Sequence, residues 1–239
     1  MSPEERERLA SGAREVGIDL RGEQLDLFAR YHDLLYAWNE RLNLTRVPAA
    51  QAVSRHYLDS LTVARAFDAA GARRVIDVGT GAGLPGIPLK IAYPHLQVTL
   101  LDATRKKLTF LDEVIASLCL QGIQTVHARA EEASRSADHR AAYDIAVARA
   151  VGPLDRIAGW LLPFVRPGGV AVAMKSADVA EEVQAASRAL RTAAGTLAGV
   201  LRLRVPGEEV ERSLVLLAPA RASRIDRRRR GTRPARPAV

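Results

Sequence analysis

The stretch Val75-Ile76-Asp77-Val78-Gly79-Thr80-Gly81-Ala82-Gly83-Leu84-Pro85-Gly86 decides the fold. Val75, Ile76 and Val78 form a short β-branched run suited to a buried parallel strand. The chain then turns through Gly79, Gly81 and Gly83, and Pro85 suits the first turn of a following helix. Glycine lets a backbone bend sharply and approach a ligand with no Cβ in the way. A strand, a glycine turn and a helix N-terminus together make a ligand site at the carboxyl edge of an α/β sheet.

Two cofactors compete for that loop. Gly81–Gly86 matches the dinucleotide fingerprint G-x-G-x-x-G, and Asp102 follows at about the usual ~20-residue distance. Asp77, however, lies inside the strand, so the full frame is D-x-G-x-G-x-G. A carboxylate there is placed to hold a cationic amino-acid group, directly or through water, and sits awkwardly beside a pyrophosphate. That favours S-adenosylmethionine (SAM).

Composition bounds the rest. The 239 residues suit one main domain with an appendage, and 48% are apolar, enough for a sizeable core. No apolar run approaches the ~20 residues of a membrane span. Met1–Leu9 is rich in Glu and Arg, without a signal-peptide core, so a cytoplasmic protein is expected. A single cysteine, Cys119, precludes an internal disulfide, and the five scattered histidines show no metal-ligand spacing, so no metal is expected. The net charge is +8, of which eight Arg and one Asp in residues 221–239 supply +7. The basicity is therefore local to the tail.

Before the sheet, Ser2-Pro3-Glu4-Glu5 reads as an N-cap, a Pro at N1 and first-turn acids. A second helix is predicted from Gly22 to about Leu42, with Leu25, Phe28, Leu35 and Leu42 on one face, and a third over roughly Pro48–Phe67. From Gly71 onward strands and helices alternate. Strands are predicted at Arg74–Val78, Gln97–Leu101, Ile123–His127, Tyr143–Ala148 and Val170–Met174. Helices fall at Pro85–Tyr93, Arg105–Leu120, Ala130–Ala137, Pro153–Val165 and Ala177–Leu190. Leu197–Val205 and Val210–Leu217 form a hairpin about Pro206-Gly207-Glu208-Glu209. The organisation is thus a helical N-terminal extension (residues 1–70), an α/β domain (71–220) and a basic, flexible tail (221–239).

That order, with a Pro-Gly-Gly turn before the fifth strand and a terminal antiparallel hairpin, resembles a class I SAM-dependent methyltransferase. The expected fold is Rossmann-like, with a mostly parallel seven-stranded sheet. A dinucleotide domain would instead continue as a second parallel βαβ half.

Asp102 ends the second strand, where a carboxylate accepts both ribose hydroxyls of an adenosyl group or caps the next helix; both roles are compatible. Ala130-Glu131 follows the third strand, where such folds clasp the adenine. No N/D-P-P-Y/F motif of amide methyltransferases follows the fourth strand. Arg149 takes that edge, where it could meet the SAM carboxylate or an RNA phosphate, and Lys175 adds a second cation. The competing reading for both is a solvated strand end.

The resemblance becomes specific in Tyr36–Thr45 (Y-A-W-N-E-R-L-N-L-T), Arg55–Leu61 (R-H-Y-L-D-S-L) and Asp77–Leu89 (D-V-G-T-G-A-G-L-P-G-I-P-L). It extends through Leu101–Lys107, Ala130-Glu131, Val147–Ala150 and Ala173–Lys175. On these residues the chain is similar to the bacterial 16S rRNA guanine-N7 methyltransferases of the RsmG (GidB) type. The resemblance implies SAM contacts at Gly79, Leu84, Asp102, Ala103, Thr104, Ala130, Glu131 and Arg149; the D-x-G-x-G-x-G frame adds Asp77, Gly81 and Gly83. It implies methylation of guanine 527 in 16S rRNA of the small (30S) subunit; a monomer is expected, with Arg149, Lys175, His56 and Asn39 lining the guanine and RNA side. Ser176 stands where such proteins carry glycine after the lysine, and the tail Ile225–Pro237 keeps the arginines of the family's Y-P-R-x-x-G-x-P ending without its Tyr-Pro. A class I methyltransferase acting on another RNA or a small molecule, and a non-catalytic RNA-binding protein with a vestigial SAM fold, are the alternatives.

Overall fold

A computed structural model describes residues 1–67, 71–176, 178–209 and 211–220; the Arg-rich tail lies outside them. The elements run α1 (Pro3–Glu15), α2 (Gly22–Leu42), α3 (Asp59–Leu61), β1 (Arg74–Val78), α4 (Gly86–Ala92), β2 (Gln97–Asp102) and α5 (Arg105–Ser117). They continue with β3 (Ile123–His127), α6 (Ala130–Ala133), β4 (Tyr143–Arg149), α7 (Leu154–Leu161), β5 (Val165–Ser176), α8 (Ala180–Ala185), α9 (Ser187–Thr192), β6 (Gly195–Arg204) and β7 (Glu211–Pro219). One seven-stranded sheet orders them β3-β2-β1-β4-β5-β7-β6. β1 to β5 pair in parallel, and β7 pairs antiparallel with both β5 and β6.

The sheet is covered on both faces, and strand alternation says by what. Ile145 and Val147 of β4 and Val172 and Met174 of β5 join the cluster that holds Leu9, Phe28, Tyr31, Leu35, Ile87 and Leu111. Ala146, Ala148, Ala171 and Ala173 face the other way, into the cluster with Ile157, Leu161, Phe164 and Leu190. The N-terminal helices therefore share one core with α4 and α5. Gln24 ties the two sets together: its side-chain oxygen accepts from Arg21 N–H (2.9 Å), and its nitrogen donates to the Ile91 and Ala92 carbonyls (2.7 and 3.0 Å) at the end of α4.

The predicted N-cap at Ser2 forms a full capping box with Glu5, and α2 spans the predicted residues. Several elements differ: the helix expected over Ala177–Leu190 is broken into α8 and α9, and that over Ala130–Ala137 ends at Ala133. Pro85 is the N-cap of α4 rather than its first residue. Pro167-Gly168-Gly169 does not precede β5 but is absorbed in it as a bulge, where the register jumps from Tyr143↔Val165 to Ile145↔Val170. Gly169 is needed there because a Cβ would lie 2.5 Å from the Asp144 carbonyl. The third helix is broken into 3₁₀ turns at Ala49–Gln51 and Thr62–Ala66 around a wider π-turn, Val53–Leu58, that runs into α3. Such widened turns occur often at functional sites.

Candidate active site

The carboxyl ends of β3, β2, β1 and β4 line up along one edge of the sheet, and a cavity of about 540 Å³ opens there. β1 delivers the glycine loop. Gly79 N–H and Thr80 N–H both donate to the Leu101 carbonyl (2.8 and 3.0 Å), pinning the loop to β2. Tyr31 Oη donates to the Ala82 carbonyl (2.6 Å), so α2 holds the loop from the other side. Gly79 has φ +71°, and a Cβ on it would lie 2.6 Å from Val151 Cγ1. The backbone is thus folded left-handed under the loop that follows β4.

Asp77 is fully buried beneath this loop. Its Oδ2 accepts from Thr80 Oγ1 (2.7 Å) and Gly86 N–H (2.8 Å), while Oδ1 has no hydrogen-bond partner among the described residues. Burial pushes this carboxyl up to about 6, against the pull of those two hydrogen bonds and of Arg149. Asp102 is nearly buried at the end of β2; Oδ2 accepts from Gly81 N–H (3.0 Å) and Oδ1 from Thr104 N–H (2.8 Å), with Lys107 Nζ at 3.4 Å.

Gly79, Gly81, Leu84, Asp102, Ala103, Ala130, Glu131, Arg149 and His56 all line the cavity. The other expected site residues do not line it. Asp77 lies under the loop, Gly83 packs against Ile87 and Leu111, and Thr104 is the N-cap of α5. Asn39 spends its amide on Thr45, donating to the carbonyl (3.1 Å) and accepting from N–H (2.8 Å). Lys175 donates to the Gly152 carbonyl (2.9 Å) and pairs with Glu182 (2.6 Å), which also accepts from Leu154 N–H (2.7 Å). Lys175 thereby tethers the loop that roofs Gly79.

Sequence reasoning missed several lining residues. Leu44 and Thr45 close the Tyr36–Thr45 motif with nothing in their own chemistry to mark a role, and Trp160 gives no signal, because its partner is 29 residues away. Trp160 Nε1–H donates to Glu131 Oε1 (2.6 Å) across the end of the cavity. His56 sits between Thr45 Oγ1 (Nε2, 2.7 Å) and the Arg149 guanidinium (Nδ1, 3.4 Å). Burial, reinforced by that cation, lowers His56 to about 4, so the imidazole is neutral at pH 7.

A family profile described as "GidB: rRNA small subunit methyltransferase G" matches residues 24–210. The chain belongs to the GidB family. It is 39% identical over 212 residues to "Ribosomal RNA small subunit methyltransferase G" of Thermoanaerobacter sp. (strain X514), covering 88% of each chain. The protein of the same name from Bacillus subtilis (strain 168) is 38% identical over 88% of this chain and 89% of its own. Among solved structures, StiE O-MT (residues 961–1257) aligns with TM-score 0.57 at 15% identity, over 80% of this chain and 84% of that one. The S-adenosylmethionine-dependent methyltransferase SibL in its apo form aligns with TM-score 0.54 at 19% identity, over 72% and 56%. These two likenesses show the fold, a class I methyltransferase fold.

This GidB protein is a SAM-dependent methyltransferase, and its residues fit the cofactor. Asp77 Oδ1 is an unpartnered buried acceptor, the left-handed Gly79 leaves no room for a side chain, and Asp102 stands one strand away. Among the described residues no group of three His, Cys, Asp or Glu side chains could hold a metal ion, and no helix is long and apolar enough to cross a membrane.

Proposed function

We propose that the protein methylates N7 of guanine 527 in 16S rRNA of the small ribosomal subunit. The reading includes a cytoplasmic monomer as the working form. The observation that carries it is the cavity wall opposite the glycine loop. That wall joins a half-buried arginine to a neutral imidazole, and the two cavity carboxylates are both engaged: Asp102 with backbone N–H groups and Glu131 with Trp160. Guanine N7 offers an in-plane lone pair and no proton, so its methylation needs no general base, which suits such a wall.

Bound SAM supplies an electrophilic methyl group on a sulfonium. Ala130 and Glu131 take the adenine end, Asp102 the ribose, and Asp77 the ammonium group, directly or through water. Gly79, Gly81, Gly83 and Leu84 shape the loop along which it lies, and Ala103 and Thr104 support Asp102. Arg149 takes the carboxylate. His56, beside Arg149, presents an uncharged ring to the guanine side, its nitrogens engaged with Thr45 and Arg149. Asn39 acts there by fixing Thr45, and Lys175 by fixing the Gly152 loop. Catalysis rests on holding N7 in line with the methyl, the kind of positioning that supplies several orders of magnitude in rate. The Arg-rich tail and Lys106 and Lys107 supply phosphate contacts that weaken as salt rises.

The test is transfer of labelled methyl from SAM to unmethylated 30S subunits and to protein-free 16S rRNA, with the modified nucleotide mapped. Label as 7-methylguanosine at position 527 is the expected result. Label at another nucleotide, or on free nucleosides, overturns the substrate and leaves the methyltransferase standing.

A further inference from the structure

We infer that Asp59 is a positioning residue, which sets the Arg149 guanidinium against the amino-acid end of bound SAM. The inference rests on the cavity being the SAM site. Strand order sets out that ligand along the sheet edge. The β3 end carries Ala130 and Glu131, the β2 end Asp102, the β1 end Gly79 and the β4 end Arg149. With adenine and ribose at the first two, the carboxylate reaches the β4 end.

Asp59 itself is 4% exposed and comes from the broken helix ahead of the sheet. A carboxylate buried to that degree needs cations. It has two. Oδ2 accepts from Arg149 Nη1 (3.0 Å) and Oδ1 from Arg212 Nε on β7 (3.1 Å). Arg149 Nη1 also donates to the Arg55 carbonyl (3.1 Å). Holding one nitrogen at two points fixes the guanidinium plane and leaves Nη2 beside His56, another lining residue. A planar guanidinium held in this way is pre-organised for a carboxylate.

The charge balance explains Arg212. Asp59 and Arg149 alone would form a neutral pair, with nothing left for an anion. Adding Arg212 gives the cluster a net charge of +1 next to where the cofactor's carboxylate is placed; in Asp59→Asn that surplus rises to +2, so a fall in affinity there reports lost orientation of the guanidinium and not lost charge. Arg212 does not line the cavity, so its part is to occupy the second oxygen of Asp59. The helical N-terminal segment thus reaches the Arg149 guanidinium through Asp59, beside the His56 and Thr45 that it also places on the cavity wall.

Two probes separate positioning from bulk structure. S-adenosylhomocysteine carries the amino-acid end, whereas 5′-methylthioadenosine has the same adenosine and sulfur without it. Calorimetric titration of the full chain with each is the measurement. In Asp59→Asn we expect affinity for S-adenosylhomocysteine to fall about tenfold or more, as for a lost charge-assisted contact, with 5′-methylthioadenosine held to within about twofold. In turnover the KM for SAM rises while kcat at saturating SAM holds to within about threefold. Once Arg149→Met has removed the guanidinium, Asp59→Asn adds no further loss.

Equal loss of both ligands, no loss of either, or an undiminished effect in the Arg149→Met background overturns the inference. Should Asp59→Asn fail to fold, Arg212→Met keeps the Asp59–Arg149 pair and removes the surplus charge; it is expected to show the same ligand-selective loss, and wild-type binding of both ligands there overturns the inference. A wild-type chain that binds neither ligand fails the cavity reading itself, and the inference falls with it.

Discussion

The two sides of the cavity are built by different means. On the β1–β2 side, the surface is mostly backbone. Gly79 and Thr80 hang from the Leu101 carbonyl, Gly81 N–H meets Asp102, and apart from Tyr31, which holds the Ala82 carbonyl, the residues involved lie between positions 77 and 107. On the β4 side the surface is side chains from distant stretches. Arg149 meets Asp59 across 90 positions and Asp59 meets Arg212 across 153. The first side is rigid because a left-handed turn leaves the chain few alternatives. The second is rigid only while each charge keeps its partner. A side chain added to the first side should therefore do more damage than any neutral replacement on the second.

Gly79→Ala is the strongest way to break that contrast. A residue with a Cβ in the left-handed region costs about 1–2 kcal/mol, and the new methyl would press on Val151 Cγ1 at 2.6 Å. The loop after β4 must lift, which spoils the cavity on both sides at once. We expect kcat/KM for methyl transfer to fall by about 100-fold or more, since a displacement of about 1 Å at a positioned site has that effect. The same strain lowers Tm by only about 2–8 °C. Wild-type turnover in a folded Gly79→Ala protein would show that the loop has slack, and the contrast would fail.

Asp77 sharpens the contrast through pH. Its carboxyl, raised to about 6 by burial, keeps its proton in the folded protein over a range where the unfolded chain, at 3.8, has released it. The unfolded state then binds fewer protons, so stability from this group falls as pH rises from about 4 to 6 and is lost fully above that. An ammonium group at Oδ1 reverses the preference and favours the carboxylate. SAM affinity should therefore rise by up to about tenfold per pH unit from pH 5 to 6 and level off by pH 7. In Asp77→Asn the amide oxygen can still accept from Thr80 and Gly86, and the slope should vanish along with most of the affinity. Titration calorimetry across pH 5–7 reads both. A flat wild-type profile would take Asp77 out of cofactor binding.

The same division explains what could be read in the sequence. The Asp77–Gly86 frame, Asp102 at a strand end and the α/β alternation are local patterns, and the structure has each where the pattern puts it. Bounds failed where tertiary demands overrode local ones. Residues 48–67 read as one helix, yet the chain widens at Val53–Leu58 while burying His56, Tyr57 and Asp59 together. Pro167–Gly169 read as a turn, yet the bulge keeps it in β5. For the site, Arg149 and Lys175 looked equivalent, two cations at the ends of adjacent strands. Nothing in their own neighbourhoods says that one faces the cavity against Asp59 while the other is committed to Glu182 and Gly152. Partners more than twenty positions apart leave no periodicity to read, which is also why Trp160 and its bond to Glu131 escaped notice.

The smallest expected effect belongs to His56, and it tests whether the β4 side reads its ligand by charge or by hydrogen bonding. Burial and the Arg149 cation lower His56 to about 4. Between about 4 and 6.5 the unfolded chain binds a proton that the folded one refuses, so stability from this group is lost as pH falls through that window, the opposite sense to Asp77. Above pH 6.5 both states are neutral and the group contributes no pH dependence. The His56 ring resonances should therefore stay flat from pH 5.5 to 8 in an NMR titration. His56→Gln keeps a neutral hydrogen-bonding group beside Thr45 and Arg149, and should change kcat/KM by no more than about threefold. It should also leave the salt dependence of RNA binding untouched, because a residue that touches phosphate as a cation adds about one to that slope. A slope that drops by about one in His56→Gln, or a ring that titrates near 6.5, would mean that the RNA-facing side works by charge after all, with His56 acting as a cation beside Arg149.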